Sequence, residues 1–174
     1  GIIFGVKDKE YKGLQAINEA YADYYLKYNT DSLRFKNAYG HLTKSQNFID
    51  SLIDTEDYHD RVHSLNLLFG QYFEATGKPS FAYNSYQKAL DAAIIYYDSP
   101  KSREVAKIYV QLAELSLQSG DLKLLNEHIK NGINKLVPAF QHQELPNDSL
   151  INGENTFVDL LTLKSKYYFQ KYDS

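Results

Sequence analysis

The chain has 174 residues, enough for one domain with a continuous core, and its 43% hydrophobic and 24% charged residues are those of an ordinary globular protein, which argues against disorder. Its net charge of -3 comes from 19 basic and 22 acidic side chains spread along the chain, with no Lys/Arg cluster to follow a phosphate backbone, so nucleic acid is not an expected partner. No apolar run approaches the roughly 20 residues that span a bilayer, and Gly1 to Gly5 is too short and lacks the basic lead-in of a signal peptide.

Apolar residues recur at spacings of three and four almost throughout, and period-two alternation is rare, so the pattern predicts an all-α chain. The first helix is expected from about Asp8 to Tyr28, with Tyr11, Leu14, Ile17, Tyr21, Tyr24, Tyr25 and Tyr28 in phase. Asn29-Thr30-Asp31-Ser32 breaks it and can cap a second helix, from about Ser32 to Ile53. Thr55-Glu56-Asp57 starts a third, which ends at Thr76-Gly77-Lys78-Pro79, where Gly suits a left-handed C-cap and Pro the first turn that follows. The fourth carries Phe81, Ala82, Tyr86, Ala89, Leu90 and Ala93 and closes at Asp98-Ser99-Pro100. A fifth holds Val105, Ile108, Tyr109, Leu112, Ala113 and Leu115 and stops at Ser119-Gly120-Asp121; a sixth runs from Leu122 to about Val137. Residues 138–153 read as a loop, and Glu154 to about Tyr172 returns to helical periodicity as a seventh helix. Short turns between long helices make neighbours antiparallel, which leaves a bundle or a solenoid.

An internal repeat decides between them. Superposing Gly77 on Gly120 matches Gly70 with Ala113, Phe69 with Leu112, Ala82 with Leu125, Tyr86 with Ile129 and Ala89 with Gly132. Small residues at such positions let helix backbones approach closely while the large ones fill the grooves so formed. The stretch containing Phe69, Gly70, Phe73, Gly77, Ala82, Tyr86 and Ala89 resembles the tetratricopeptide repeat, and Tyr109, Leu112, Ala113, Gly120 and Ile129 resemble a second copy, with Ser116 in place of the usual aromatic and Leu125 in place of the usual alanine. The best-matched repeats cover 62–97 and 105–138 of a single domain 1–174; residues 154–174 look like the first half of a further unit, cut short. The turn glycines lie 43 residues apart, longer than the family's commonest period of about 34. The resemblance implies a tetratricopeptide-like α-solenoid of antiparallel hairpins. Its concave face would carry Leu67, Gln71 and Glu74 from one unit and Lys107, Val110, Glu114 and Gln118 from the next, holding a peptide or helix of a partner protein.

A second resemblance lies in residues 136–166, carried by Leu136, Pro138, Phe140, Glu154, Asn155, Thr156, Leu160 and Lys164. This stretch is similar to the helical region that precedes the caspase-like CHAT domain of large bacterial proteins, which implies a recognition or regulatory arm for a His-Cys protease further along the polypeptide. The chain itself has no cysteine.

Candidate chemistry is sparse. His59 and His63 lie four apart beside Asp57 and Asp60, a spacing that suits a metal but is better read as surface imidazoles. His41, His128 and His142 are scattered, and Gly-Lys at 77–78 lacks the spacing and the preceding strand of a phosphate loop. Asn147-Asp148-Ser149 has the glycosylation pattern and reads as a turn. The stripes Tyr21, Tyr24, Tyr25, Tyr28 and Tyr83, Tyr86 read as core packing before ligand surface, though some of the sixteen tyrosines must face solvent or a partner. The expectation is therefore a non-catalytic module: no catalytic residues, cofactor or metal, a protein or peptide partner or an adjoining domain in cis, a cytoplasmic location consistent with the missing cysteines, and pairing of copies through cut ends, the helix 154–172 above all. A chain that begins at Gly1 without methionine and stops inside a helix is read as part of a longer protein.

Overall fold

The computed structural model describes residues 2–53, 55–138 and 154–172. Among them are seven α-helices and no strand: α1 (Ile2–Lys27), α2 (Arg34–Ile49), α3 (Tyr58–Ala75), α4 (Pro79–Tyr97), α5 (Arg103–Ser119), α6 (Leu122–Leu136) and α7 (Glu154–Tyr172), with a single 3₁₀ turn at Asp50–Leu52. The fold is all-α and repeat-like. Of the loop expected at 138–153, residues 139–153, with Phe140, His142 and Asn147-Asp148-Ser149, lie outside the described residues.

Instead of the single continuous core expected from length, the chain forms two compact units, residues 1–92 and 93–174, with the boundary inside α4. Chains built of hairpins bury their apolar faces against sequence neighbours, so a core is assembled locally and need not run the whole length.

In the first unit α1 and α2 form a hairpin and α3 packs against both. Asparagine and aspartate make the α1–α2 connection: Asn29 Oδ1 accepts from the Asp31 amide at 2.7 Å and Asp31 Oδ1 from the Leu33 amide at 2.9 Å, so the helix begins two residues later than the sequence suggested. Ala22, Leu42, Ile49 and Leu65 are buried at the centre, with Tyr58, Val62, Leu68, Phe69 and Tyr72 packed around them. The α3–α4 turn has the glycine chemistry expected of it. Gly77 sits at φ 70°, and the Lys78 amide donates back to the Phe73 carbonyl at 2.8 Å, closing the end of α3. Where α4 crosses Gly70, an added Cβ would meet the Tyr86 ring at 2.2 Å, so glycine is what allows the close approach. Ala82, Tyr86 and Ala89 are fully buried, Phe73 lies 5.3 Å from Phe81 ring to ring, and Tyr39 meets Phe69 edge-on at 6.4 Å.

The second unit repeats the construction. Hairpin α5–α6 is crossed by α7, which touches both. Gly120 turns at φ 73°, Ser102 and Asp121 cap the two helices by accepting from the Val105 and Leu124 amides at 3.3 and 3.0 Å, and the Ser102 amide donates to the Lys135 carbonyl at 2.8 Å, joining the open end of the hairpin. Ala113, Leu125, Ile129, Ile133 and Leu136 form the core with Phe157, Leu160 and Leu163 of α7. Leu112 is buried, Tyr109 is half-buried with its Cβ close to Gly132, and Ser116, which stands where the repeat pattern wants an aromatic, is buried with its hydroxyl donating to the Leu112 carbonyl at 2.8 Å.

Candidate functional site

The residues expected on a concave face separate on inspection. Helix α5 is buried around most of its circumference by Val105, Ala106, Ile108, Val110, Leu112, Ala113, Leu115 and Ser116. Among its side chains that are not buried, Arg103, Lys107, Gln111, Glu114 and Gln118 follow one another at spacings of three and four, which puts Lys107, Glu114 and Gln118 on one side of the helix. Val110 is not among them: it belongs to the second unit's core, because the α6–α7 side of α5 reaches one position further round than the repeat pattern implied. Lys107 is held by Glu104 at 2.8 Å and Gln111 donates to Glu114 at 3.4 Å, which gives the strip internal order. On α3, Leu67 and Gln71 are half-buried, while Glu74 accepts the Tyr86 hydroxyl at 2.7 Å and so braces the α3–α4 pair.

Helix α1 presents a surface that the sequence reading assigned to the core. Ile17, Tyr21, Tyr24 and Tyr28 are 55%, 52%, 48% and 71% exposed, and with Ala20 the first three line a shallow apolar groove of about 350 Å³. Only Tyr86 of the tyrosine stripes is fully buried; Tyr25 and Tyr83 are half-buried. The exposed rings are nonetheless held. Tyr21 stacks on His41 at 5.0 Å, His41 also stacks on Tyr25 at 5.8 Å, and its Nδ1 bonds Asn18 Oδ1 at 2.9 Å. Burial, with the Lys44 ammonium adding to it, pulls the His41 pKa below the ordinary imidazole value.

Beneath that face a polar chain links three helices of the first unit. Glu19 accepts from Gln15 at 2.7 Å, from Ser45 of α2 at 3.0 Å and from Ser64 of α3 at 3.0 Å. Arg61 donates to Gln15 Oε1 at 2.9 Å and to Asp57 at 3.0 Å, and Lys12 reaches the other Asp57 oxygen at 2.6 Å. Burial pushes the Asp57 carboxyl up, but the hydrogen bonds from Lys12 and Arg61 outweigh it and hold the group down at about 2. Periodicity of apolar residues cannot find such a chain; the signals were the i,i+4 pairs Gln15–Glu19 and Asp57–Arg61.

In the second unit Pro100, Tyr109, Asn131, Asn134, Lys135 and Pro138 line a polar hollow, and Leu117, Ser165, Lys166, Phe169 and Gln170 an open groove beside α7. His63 is buried beside Asp60 and His59 lies edge-on to Tyr58, so the two imidazoles do not form the exposed pair expected of them. Among the described residues no three His, Asp or Glu side chains converge in a metal-binding group, and no helix is long and apolar enough to cross a membrane. No protein-family model, curated protein or solved structure matches the chain.

Proposed function

We propose that the chain is a non-catalytic protein-interaction module of tetratricopeptide-like helical repeats, which holds a peptide or helix of a partner protein on the strip that α5 leaves open. The observation that carries the reading is α5: a helix packed around most of its circumference whose remaining surface includes a row of charges and amides at positions 103, 107, 111, 114 and 118. A row at spacings of three and four, fixed in place by a helix buried behind it, offers ordered contacts to an extended or helical ligand at little entropic cost. The alternative arm of a caspase-like protease is supported only by the resemblance in residues 136–166, and Leu136, Thr156 and Leu160, which help to carry that resemblance, are core residues that speak for the helical frame.

A benzophenone side chain placed at Gln118 should give one discrete adduct in cells, and the same group at exposed Lys123 of α6 should not. The pair Lys107→Ala and Glu114→Ala should lower capture of that adduct's partner about tenfold at an unchanged thermal midpoint. Wild-type capture by the double variant would move the binding surface elsewhere, and an adduct joined within one longer polypeptide would identify a partner in cis.

A further inference from the structure

We propose that the outer face of α1 is a two-fold interface with a second copy of this chain, the helices running antiparallel about a point between Ala20 and Tyr21. This inference is independent of the function proposed above, whose residues lie on α5. Between Gly13 and Tyr28 the outward face of α1 combines the small residues Gly13 and Ala20 with the large side chains of Ile17, Tyr21, Tyr24 and Tyr28. Antiparallel pairing about that point brings Gly13 opposite Tyr28 of the other copy, Ile17 opposite Tyr24, and Ala20 opposite Tyr21. In two of these three pairs a small residue receives an aromatic ring, and the third sets a branched aliphatic against one. The match is a property of the face with itself, which is what a two-fold interface requires. Space is present where it is needed, since a Cβ built on Gly13 meets nothing within 4 Å.

The chemistry and the area agree with this occupant. The exposed charge on this stretch is Lys27, already held by half-buried Asp23 at 2.6 Å, so pairing strips no isolated ion of water. Tyr21 is braced by His41, and Tyr24 by Tyr25 at 5.6 Å and Tyr28 at 6.4 Å, so the rings lose little freedom on docking. With each tyrosine offering about 150–250 Å² in full, the exposed fractions give roughly 500 Å² per copy and about 1,000 Å² in all, the lower bound of a specific interface. A weak, reversible dimer is the expected species.

The absence of cysteine makes the test clean. Sedimentation equilibrium from about 1 to 200 µM should show a monomer–dimer equilibrium that Tyr24→Glu weakens at least tenfold, and that Phe169→Glu on the exposed face of α7 leaves unchanged. Under mild oxidation Ala20→Cys should cross-link to itself, whereas Gly13→Cys should not, because antiparallel pairing separates its two copies by roughly 20 Å along the helix. Thermal midpoints equal to the parent's would show that the variants fold. A monomer at every concentration overturns the proposal, as does equal cross-linking at both cysteines or a dimer lost only with Phe169→Glu.

Discussion

Gly70 has no room for a methyl group. The Tyr86 ring that would meet it is fully buried and tied by its hydroxyl to Glu74, so it cannot swing aside. Gly70→Ala should therefore lower the thermal midpoint by several degrees, the consequence of about 1–3 kcal/mol of overpacking. Gly132 is a useful contrast. A Cβ there meets the Leu160 methyls at 2.8 and 3.0 Å and Tyr109 Cβ at 3.1 Å, and the nearest of these are the ends of a flexible side chain. Gly132→Ala also gains up to about 1 kcal/mol of helix propensity, so its midpoint should stay close to the parent's. Equal shifts in the two variants would contradict this difference in packing. Both glycines were visible in the sequence as small positions of a repeat. Which of them faces an immovable ring was not, because that depends on a hydrogen bond formed only after folding.

At the scale of the element, Asp57 shows how a helix start can be given over to tertiary contacts. It stands at the N-cap of α3 but makes no side-chain cap bond, since its oxygens are taken by Lys12 and Arg61. With its pKa lowered from 3.8 to about 2, the carboxylate contributes stability that is present above pH 4 and lost as pH falls toward 2. Asp57→Asn should flatten the stability profile over that window and, after allowance for solvent screening, cost about 1 kcal/mol at neutral pH. An unchanged acid profile, read by chemical denaturation at pH 2 to 5, would remove the ion pairs from the account. Helices α3 to α6 were legible because Gly77, Pro79, Pro100 and Gly120 punctuate them, and the start of α7 was legible at Glu154. The faces of α1 were not. Apolar side chains occur on two sides of it, and a period of three to four identifies a stripe without saying which stripe turns inward. The same ambiguity placed Val110 at the surface, since one position round a helix separates the strip from the core.

At the scale of the molecule the all-α, repeat-like arrangement of the seven helices among the described residues was foreseen, while the division into two units was not, because length alone suggests one core and says nothing of how contacts are distributed. Local assembly has a measurable consequence. Leu42→Ala removes a fully buried side chain from the first unit and should cost about 2–5 kcal/mol there. Amide exchange should accelerate over residues 2–75 and remain at parent rates over 103–136. A uniform acceleration over both stretches would show a single cooperative body.

The hydrogen-bonded chain from Lys12 through Asp57, Arg61, Gln15 and Glu19 to Ser45 and Ser64 has one more consequence. Fully buried Ala22 and Ala38 give α1 and α2 smooth surfaces, and smooth helix surfaces can be fitted together again one turn, about 5.4 Å, out of step. Donors and acceptors placed on three helices meet in only one alignment, and every slipped alignment strands a carboxylate among apolar groups. The chain thus works as a key that tells the helices where to stop, and its worth lies less in the energy of the correct arrangement than in the penalty it sets on the near misses.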